Sequence, residues 1–444
     1  MKRDMSTKQE DATCTRAGRW LLGLAVAMSA LGGLGGSFQP SRFLCIAIAF
    51  AVVLQIAKGI RLAESARGLR FTSLALAIAF PLLSYCSVLW SAQPGQTFGF
   101  AVVMTINMVP LVYVALIPDN ELSDLTKELS TGWLIALFLS LALSTYEIAT
   151  GNHLSFDDES RGGGDFSEKL LYVSGFHGNY NDFSTYLVLT ISMVFVSLFL
   201  KRANQLERKA IWVCSAAACF VIFLNASRGA ILSLTVLGML FFFAKRHWAK
   251  YLASFAAAIL IWLIVTQYFS DQLNYLYLKL SDFSNDTSQD SGRFAIWRAM
   301  FELFVDSSGF GVGADAYQPM LQTRFSYVIP NPHNFIVEIA INLGLPGLLL
   351  WLVHWLVLMA TMLRSAAGRM GQLALVSVVA LIPLYGIVPS HLMGYTYFWL
   401  WYASTVGFAR WLALGRARRE ENAGRGSSVK SSAVVPLNAR GSVL

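Results

Sequence analysis

Hydrophobic windows of bilayer length recur along almost the whole of this 444-residue chain. Twelve stand out, at 20–36, 41–57, 71–90, 98–117, 131–149, 183–200, 210–225, 228–244, 248–268, 333–363, 372–389 and 391–411. About 17–25 apolar residues in a helix cross the hydrocarbon of a bilayer, and a chain in lipid must satisfy its own backbone groups. A large soluble helical core would need a polar face at helical period, which most of these windows lack. With 55% hydrophobic and only 14% charged residues, the expected fold is all-α: a polytopic membrane protein of about twelve transmembrane helices.

Orientation follows from the basic residues. With both termini inside, 26 of the 34 lysines and arginines fall on the cytoplasmic side. The outer side keeps Arg42, Arg161, Lys169, Arg228, Lys279, Arg293, Arg298 and Arg324. The net charge of +8 is therefore mostly topology, and no nucleic-acid motif accompanies it. The basic start could mimic a signal peptide, but eleven more spans follow the first, so a retained anchor is expected. Four of the five cysteines lie in spans and Cys14 in the inner tail, which leaves none for a disulfide framework outside. No Cys/His spacing suits zinc. The chain divides into a cytoplasmic segment 1–19, spans 20–227 with an outer loop at 150–182, and a core 228–414 with a large outer loop at 270–332. A tail at 415–444 has the composition of a disordered cytoplasmic extension.

The two outer loops hold most of the informative polar residues. "GNYND" (178–182) reads as a helix cap ahead of the span near Phe183, with sugar binding as the alternative. "SGRFAIWRAMFELFVD" has helical period with Ser291 as its cap, so short amphipathic helices are expected over the outer surface. "GFGVGADAY" lacks a preceding strand and GxGxxG spacing, and reads as a turn. Arg228 stands in a connection of a few residues, which holds a costly charge at the membrane surface and marks a site, or else snorkels to lipid phosphate. Arg293 and Arg298, five apart, point in different directions on a helix, and Arg293 is the one expected to face a site. Arg324 could join it or be solvated. The planar guanidinium fork suits a phosphate-bearing lipid at that depth.

Over nearly its whole length, and most specifically from Arg228 onward, the chain resembles the O-antigen ligase and polysaccharide polymerase superfamily of bacterial envelope glycosyltransferases. The resemblance rests on "SRGA" at 227–230, "SGR" and a following "W" at 291–297, and "HN" then "GLPG" across 333–347, in that order and topology. It implies metal-independent, inverting transfer of a glycan from undecaprenyl diphosphate at the periplasmic face of the inner membrane, with no cofactor. The acceptor would be lipid A–core for a ligase, or a second lipid-linked glycan for a polymerase. Some relatives glycosylate protein hydroxyls, and a lipid-linked glycan transporter is the alternative from another class. Arg228, Arg293 and His333 are the positions carried over, Arg298 and Arg324 being further candidates for the donor diphosphate. No nucleic-acid partner is implied.

His333 is the expected catalytic residue. Asn331, Pro332 and His333 read as N-cap and first two helical positions. That would set the imidazole at an anion-attracting helix end, kept neutral and fit to act as a general base. The alternative is a histidine that only satisfies a loop carbonyl. Asn334, Glu338 and Asn342 form a polar stripe behind it, with Asn334 and Glu338 as support, although Glu338 lies about 140° round an ideal helix from His333.

Overall fold

A computed structural model describes residues 16–34, 39–57, 66–154, 172–200, 204–244, 287–325, 331–365, 369–387 and 391–431. The helices are α1 (16–28), α2 (Pro40–Ala57), α3 (Arg67–Ser87), α4 (Pro94–Leu116), α5 (Leu122–Thr150), α6 (Tyr180–Phe199), α7 (Gln205–Leu224) and α8 (Arg228–Ala244). After the large loop come α9 (Thr287–Asp306), α10 (Tyr317–Phe325), α11 (Phe335–Arg364), α12 (Arg369–Ala380), the single turn α13 (Ile382–Tyr385) and α14 (Thr396–Ser431). The described residues contain no strand. Among the described residues six helices are long and apolar enough to cross a membrane: α2, α3, α4, α5 with its preceding turn, α6 and α11. The expected span at 248–268 and the first part of the large loop lie outside the described residues.

α6 is the central helix, buried on nearly every face from Asp182 to Ser197. Its apolar residues with no polar stripe are what a helix surrounded by other helices requires. α14 packs beside it through a run of large rings, Phe398, Trp399, Trp401 and Tyr402, all buried. Capping decides where several helices begin. Asn179 accepts hydrogen bonds from the backbone N–H groups of Asn181 and Asp182, so "GNYND" does cap α6. α7 starts with a reciprocal Asn204–Glu207 capping box.

Two buried glutamates pin loops at the same end of the bundle. Glu147 accepts from the N–H groups of Leu154, Ser174 and Gly175, tying the end of α5 to the turn before α6. Glu338 does the same for the turn before α14.

Three expectations are corrected. The 333–363 window is not one continuous helix: Gly344 has φ +68° and breaks α11 two residues before Pro346. The broken turn frees backbone groups, which the glycine-rich turn takes up. Val312 N–H donates to Ile341 O (2.9 Å), and Leu345 N–H donates to Gly309 O (2.8 Å). "GLPG" is thus a notch, and "GFGVG" is the plug that fills it. The loop helix α9 begins at Thr287, four residues before the expected cap Ser291. Finally, α14 runs on to Ser431, with Arg416 and Glu420 paired at 2.7 Å one turn apart, so the first part of the segment read as disordered is helical.

Candidate functional site

The polar stripe on α11 is a seam rather than an open surface. Asn342 accepts from Asp315 N–H (2.6 Å) and donates to Glu338 O (2.8 Å). Glu338 is 1% exposed; its carboxylate accepts from the N–H groups of Leu392 (2.9 Å) and Met393 (3.0 Å) and faces His391 Nδ1 at 2.9 Å. A buried carboxylate needs such partners, because an unpaired charge away from water is expensive.

His391 is the hub of the cluster. Its Nδ1 also lies 3.1 Å from the Tyr317 hydroxyl, its Nε2 is 3.8 Å from Asp315, and Phe100 packs edge-on against the ring. Burial pulls the imidazole pKa down, but the charge and hydrogen bond of Glu338, with Asp315 and Asp182 behind it, raise it further, to about 9. His391 is therefore a cation at neutral pH. The same environment pushes the Tyr317 hydroxyl well above its ordinary range, through burial first and then the nearby carboxylates. Asp182 holds the Tyr395 hydroxyl at 2.6 Å, which joins α6 to the 391–395 turn. Asp315 has φ +62°, an uncommon backbone state for a non-glycine residue, and Gln96 clamps it at both its carbonyl and its carboxylate.

His333 is close by in the chain but is not helical. The N-cap is Asn334, whose side chain accepts from Ile336 and Val337 N–H, while Phe335 N–H donates to Gly386 O at 3.0 Å. Those three donors are the ones a bound anion would need, so the expected anion site at this helix end is closed. His333 itself has φ +45° and is half-buried just before the cap. Asn331, expected as the cap, accepts instead from Gln318 Nε2 (3.2 Å), next to Tyr317.

The arginines occupy different settings. Arg228 opens α8 on an exposed position. The turn before it is held by Asn225, which bonds Val173, Tyr180 and Ser184. α8 in turn packs on α12 and α13. Arg293 and Arg298 both lie on α9, Arg298 exposed, and Trp297 between them donates its indole N–H to Pro332 O at 2.7 Å. That bond fastens α9 to the His333 segment. Arg324 is drawn elsewhere, into an ion pair with Asp306 (2.6 Å) at the rim of a separate cavity.

Sequence reasoning did not find His391, Asp315, Tyr317 or Asp182 as members of this cluster. One signal was available: a histidine in "PSHLMGYTY", a polar turn before an apolar helix, repeats the logic applied to His333. Its pairing with Glu338 needed the tertiary structure.

Fold and site together define a multi-pass, all-α membrane protein with a polar mouth built from loops at one end of the bundle. The sequence profile described as O-antigen ligase matches residues 213–352, from α7 across the arginines to the notch in α11. The teichuronic acid biosynthesis protein TuaE of Bacillus subtilis (strain 168) is 27% identical over 224 residues, covering 48% of this chain and 45% of TuaE. The chain thus spans about half the length of the curated relative it matches. Over residues 213–352 the chain is thus similar to the O-antigen ligase family.

Proposed function

We propose that this protein is an O-antigen ligase-type glycosyltransferase of the inner membrane, moving a glycan from undecaprenyl diphosphate to lipid A–core at the periplasmic face. The observation that carries the reading is the Trp297–Pro332 bond, which joins the helix of Arg293 to the segment of His333 inside the region matched by the ligase profile. The distribution of lysine and arginine favours setting this end of the bundle outside.

In this reading His333 accepts the proton of the acceptor hydroxyl as its oxygen attacks the anomeric carbon. The bond from that carbon to the diphosphate oxygen breaks, and the diphosphate leaves with the electron pair. One displacement inverts the anomeric centre. Arg228 and Arg293 hold the leaving diphosphate through charge and bidentate hydrogen bonds, so the reaction calls for no metal. Arg298, exposed on the same helix, can extend that field. Glu338 and Asn334 act from behind by fixing the backbone on either side of the mouth.

The similarity to a protein named for teichuronic acid biosynthesis favours a second reading, transfer to another lipid-linked glycan as a polymerase does. The glycan profile of a deletion strain separates the two. Loss of a ligase leaves bare core with glycan accumulating on the carrier, whereas loss of a polymerase leaves core bearing a single repeat.

A further inference from the structure

A second concavity lies beside the mouth, outside the cluster described above. It is a cavity of about 690 Å3 between the α3–α4 turn, the end of α9, the glycine-rich turn and α10, with Trp90, Asp306, Ser308, Phe310, Met320 and Arg324 among its walls. That size falls in the ~300–1,000 Å3 range of small-molecule sites.

We propose that this cavity is a subsite for the glycan portion of a substrate, which stacks a sugar ring on Trp90 and hydrogen-bonds its hydroxyls to the Asp306–Arg324 pair. The proposal rests on the glycosyl-transfer reading and adds to it where the sugar is held. Three observations support a sugar over other occupants.

The first is a fixed aromatic platform. Trp90 is 46% exposed, yet its indole N–H is committed to Gly311 O at 3.0 Å. The ring is thereby oriented, and it offers an apolar face of the kind the C–H side of a pyranose covers.

The second is charge. Asp306 and Arg324 are each about half exposed, at 54% and 51%, and neutralise one another through one guanidinium nitrogen and one carboxylate oxygen. What remains is an edge rich in donors and acceptors with no net charge. A lipid phosphate or diphosphate would have to break that pair, whereas a polyhydroxylated neutral ring can bridge it.

The third is connection to the reacting end. The cavity wall is the plug that fills the notch in α11, and it continues into Asp315, which Asn342 and Gln96 hold. Ser308, with φ +53°, is a strained non-glycine residue in that wall. Strain of this kind persists where surrounding structure fixes it, and it gathers at ligand sites. A ring seated here would be positioned by the same helix that carries Glu338.

The test uses the full chain in phosphatidylcholine nanodiscs. The probe is lipid-free oligosaccharide released by mild acid from the host's own envelope glycan, with binding followed by saturation-transfer NMR. The expected result is binding that weakens roughly tenfold in Trp90→Ala, the worth of one aromatic contact, and returns in part with Trp90→Phe. Asp306→Asn should weaken it as well, and Trp90→Ala should raise KM for glycan transfer while leaving kcat close to wild type. Should Trp90→Ala lose thermal stability, Asp306→Asn and Trp90→Phe decide. Unchanged binding in all these variants, with wild-type transfer intact, would overturn the subsite and leave glycosyl transfer standing. Loss of binding in Trp90→Ala from a wild type that transfers nothing would instead uphold the subsite and defeat the transfer reading. If the nanodisc lipid alone fills the cavity and oligosaccharide never competes with it, the groove is a lipid site and the proposal fails.

Discussion

Glu338 Oε1 and His391 Nδ1 stand 2.9 Å apart, across the seam between the first turns of α11 and the turn before α14. One carboxylate there holds an imidazolium and two backbone N–H groups at once. The geometry fastens the two chain segments that frame the mouth, and it makes the seam sensitive to both mutation and pH.

Glu338→Gln keeps the shape of the side chain but removes its charge, leaving the largely enclosed His391 with only the more distant Asp315, 3.8 Å from Nε2, as a counter-charge. Breaking one side of a buried pair typically costs about 3–5 kcal/mol. A thermal-melt series in detergent at pH 7 should therefore show a clear drop for Glu338→Gln. A melting temperature equal to wild type would mean that solvent already screens the pair.

The pH dependence has a defined sign. A histidine whose pKa rises from about 6.5 unfolded to about 9 folded stabilises the native state fully below pH 6.5. The contribution fades as pH rises and is gone above about 9, and its full size is roughly 3–4 kcal/mol at about 1.4 kcal/mol per unit. The groups facing the ring are Glu338, Asp315, Asp182, Tyr317 and Tyr395. Melting temperatures of wild type should fall between pH 6.5 and 9 relative to His391→Gln. Parallel curves for the two proteins would remove the imidazolium from the account.

Gly344→Ala tests the notch. A Cβ at this position would stand 2.5 Å from Gly309 O, against backbone that cannot step aside, and φ +68° disfavours any L side chain. The substitution should cost about 1–3 kcal/mol and loosen the 307–313 plug. Faster amide exchange at Val312 and Leu345, the two N–H groups that close the notch, is the expected signature. Unchanged protection there would show that the plug does not depend on the break.

Orientation is checked by cysteine labelling. An impermeant thiol reagent should label a cysteine placed at Ser288 in intact spheroplasts and spare one at Ser428. The opposite pattern would invert the topology inferred from the basic residues.

How much of this was legible in the sequence differs from residue to residue. Helical spans, the Asn179 cap and the glycine-rich turn could be read locally, because apolar runs, Asx caps and glycines act within a few residues of chain. The start of α11 was misplaced because Asn331 and Asn334 are equally good caps on paper. A tertiary bond, Phe335 N–H to Gly386 O, accompanies the second of them. The break at Gly344 was hidden inside a hydrophobic run, because the loop that fills it, through Gly309 and Val312, is brought there only by the tertiary fold. His391 stayed unseen because its role comes from Glu338 and Asp315, residues far off in sequence.

The central claim is that the mouth transfers glycan, with His333 as base and Arg228 and Arg293 on the diphosphate. The most direct measurement is transfer from an undecaprenyl-diphosphate-linked glycan by purified protein in detergent, where no vectorial movement can occur. The account predicts product from wild type, a large loss in Arg228→Lys, and almost none from His333→Ala across neutral pH, although His333→Ala still folds and binds the donor. Wild-type turnover by His333→Ala, or by both Arg228→Ala and Arg293→Ala, would contradict it.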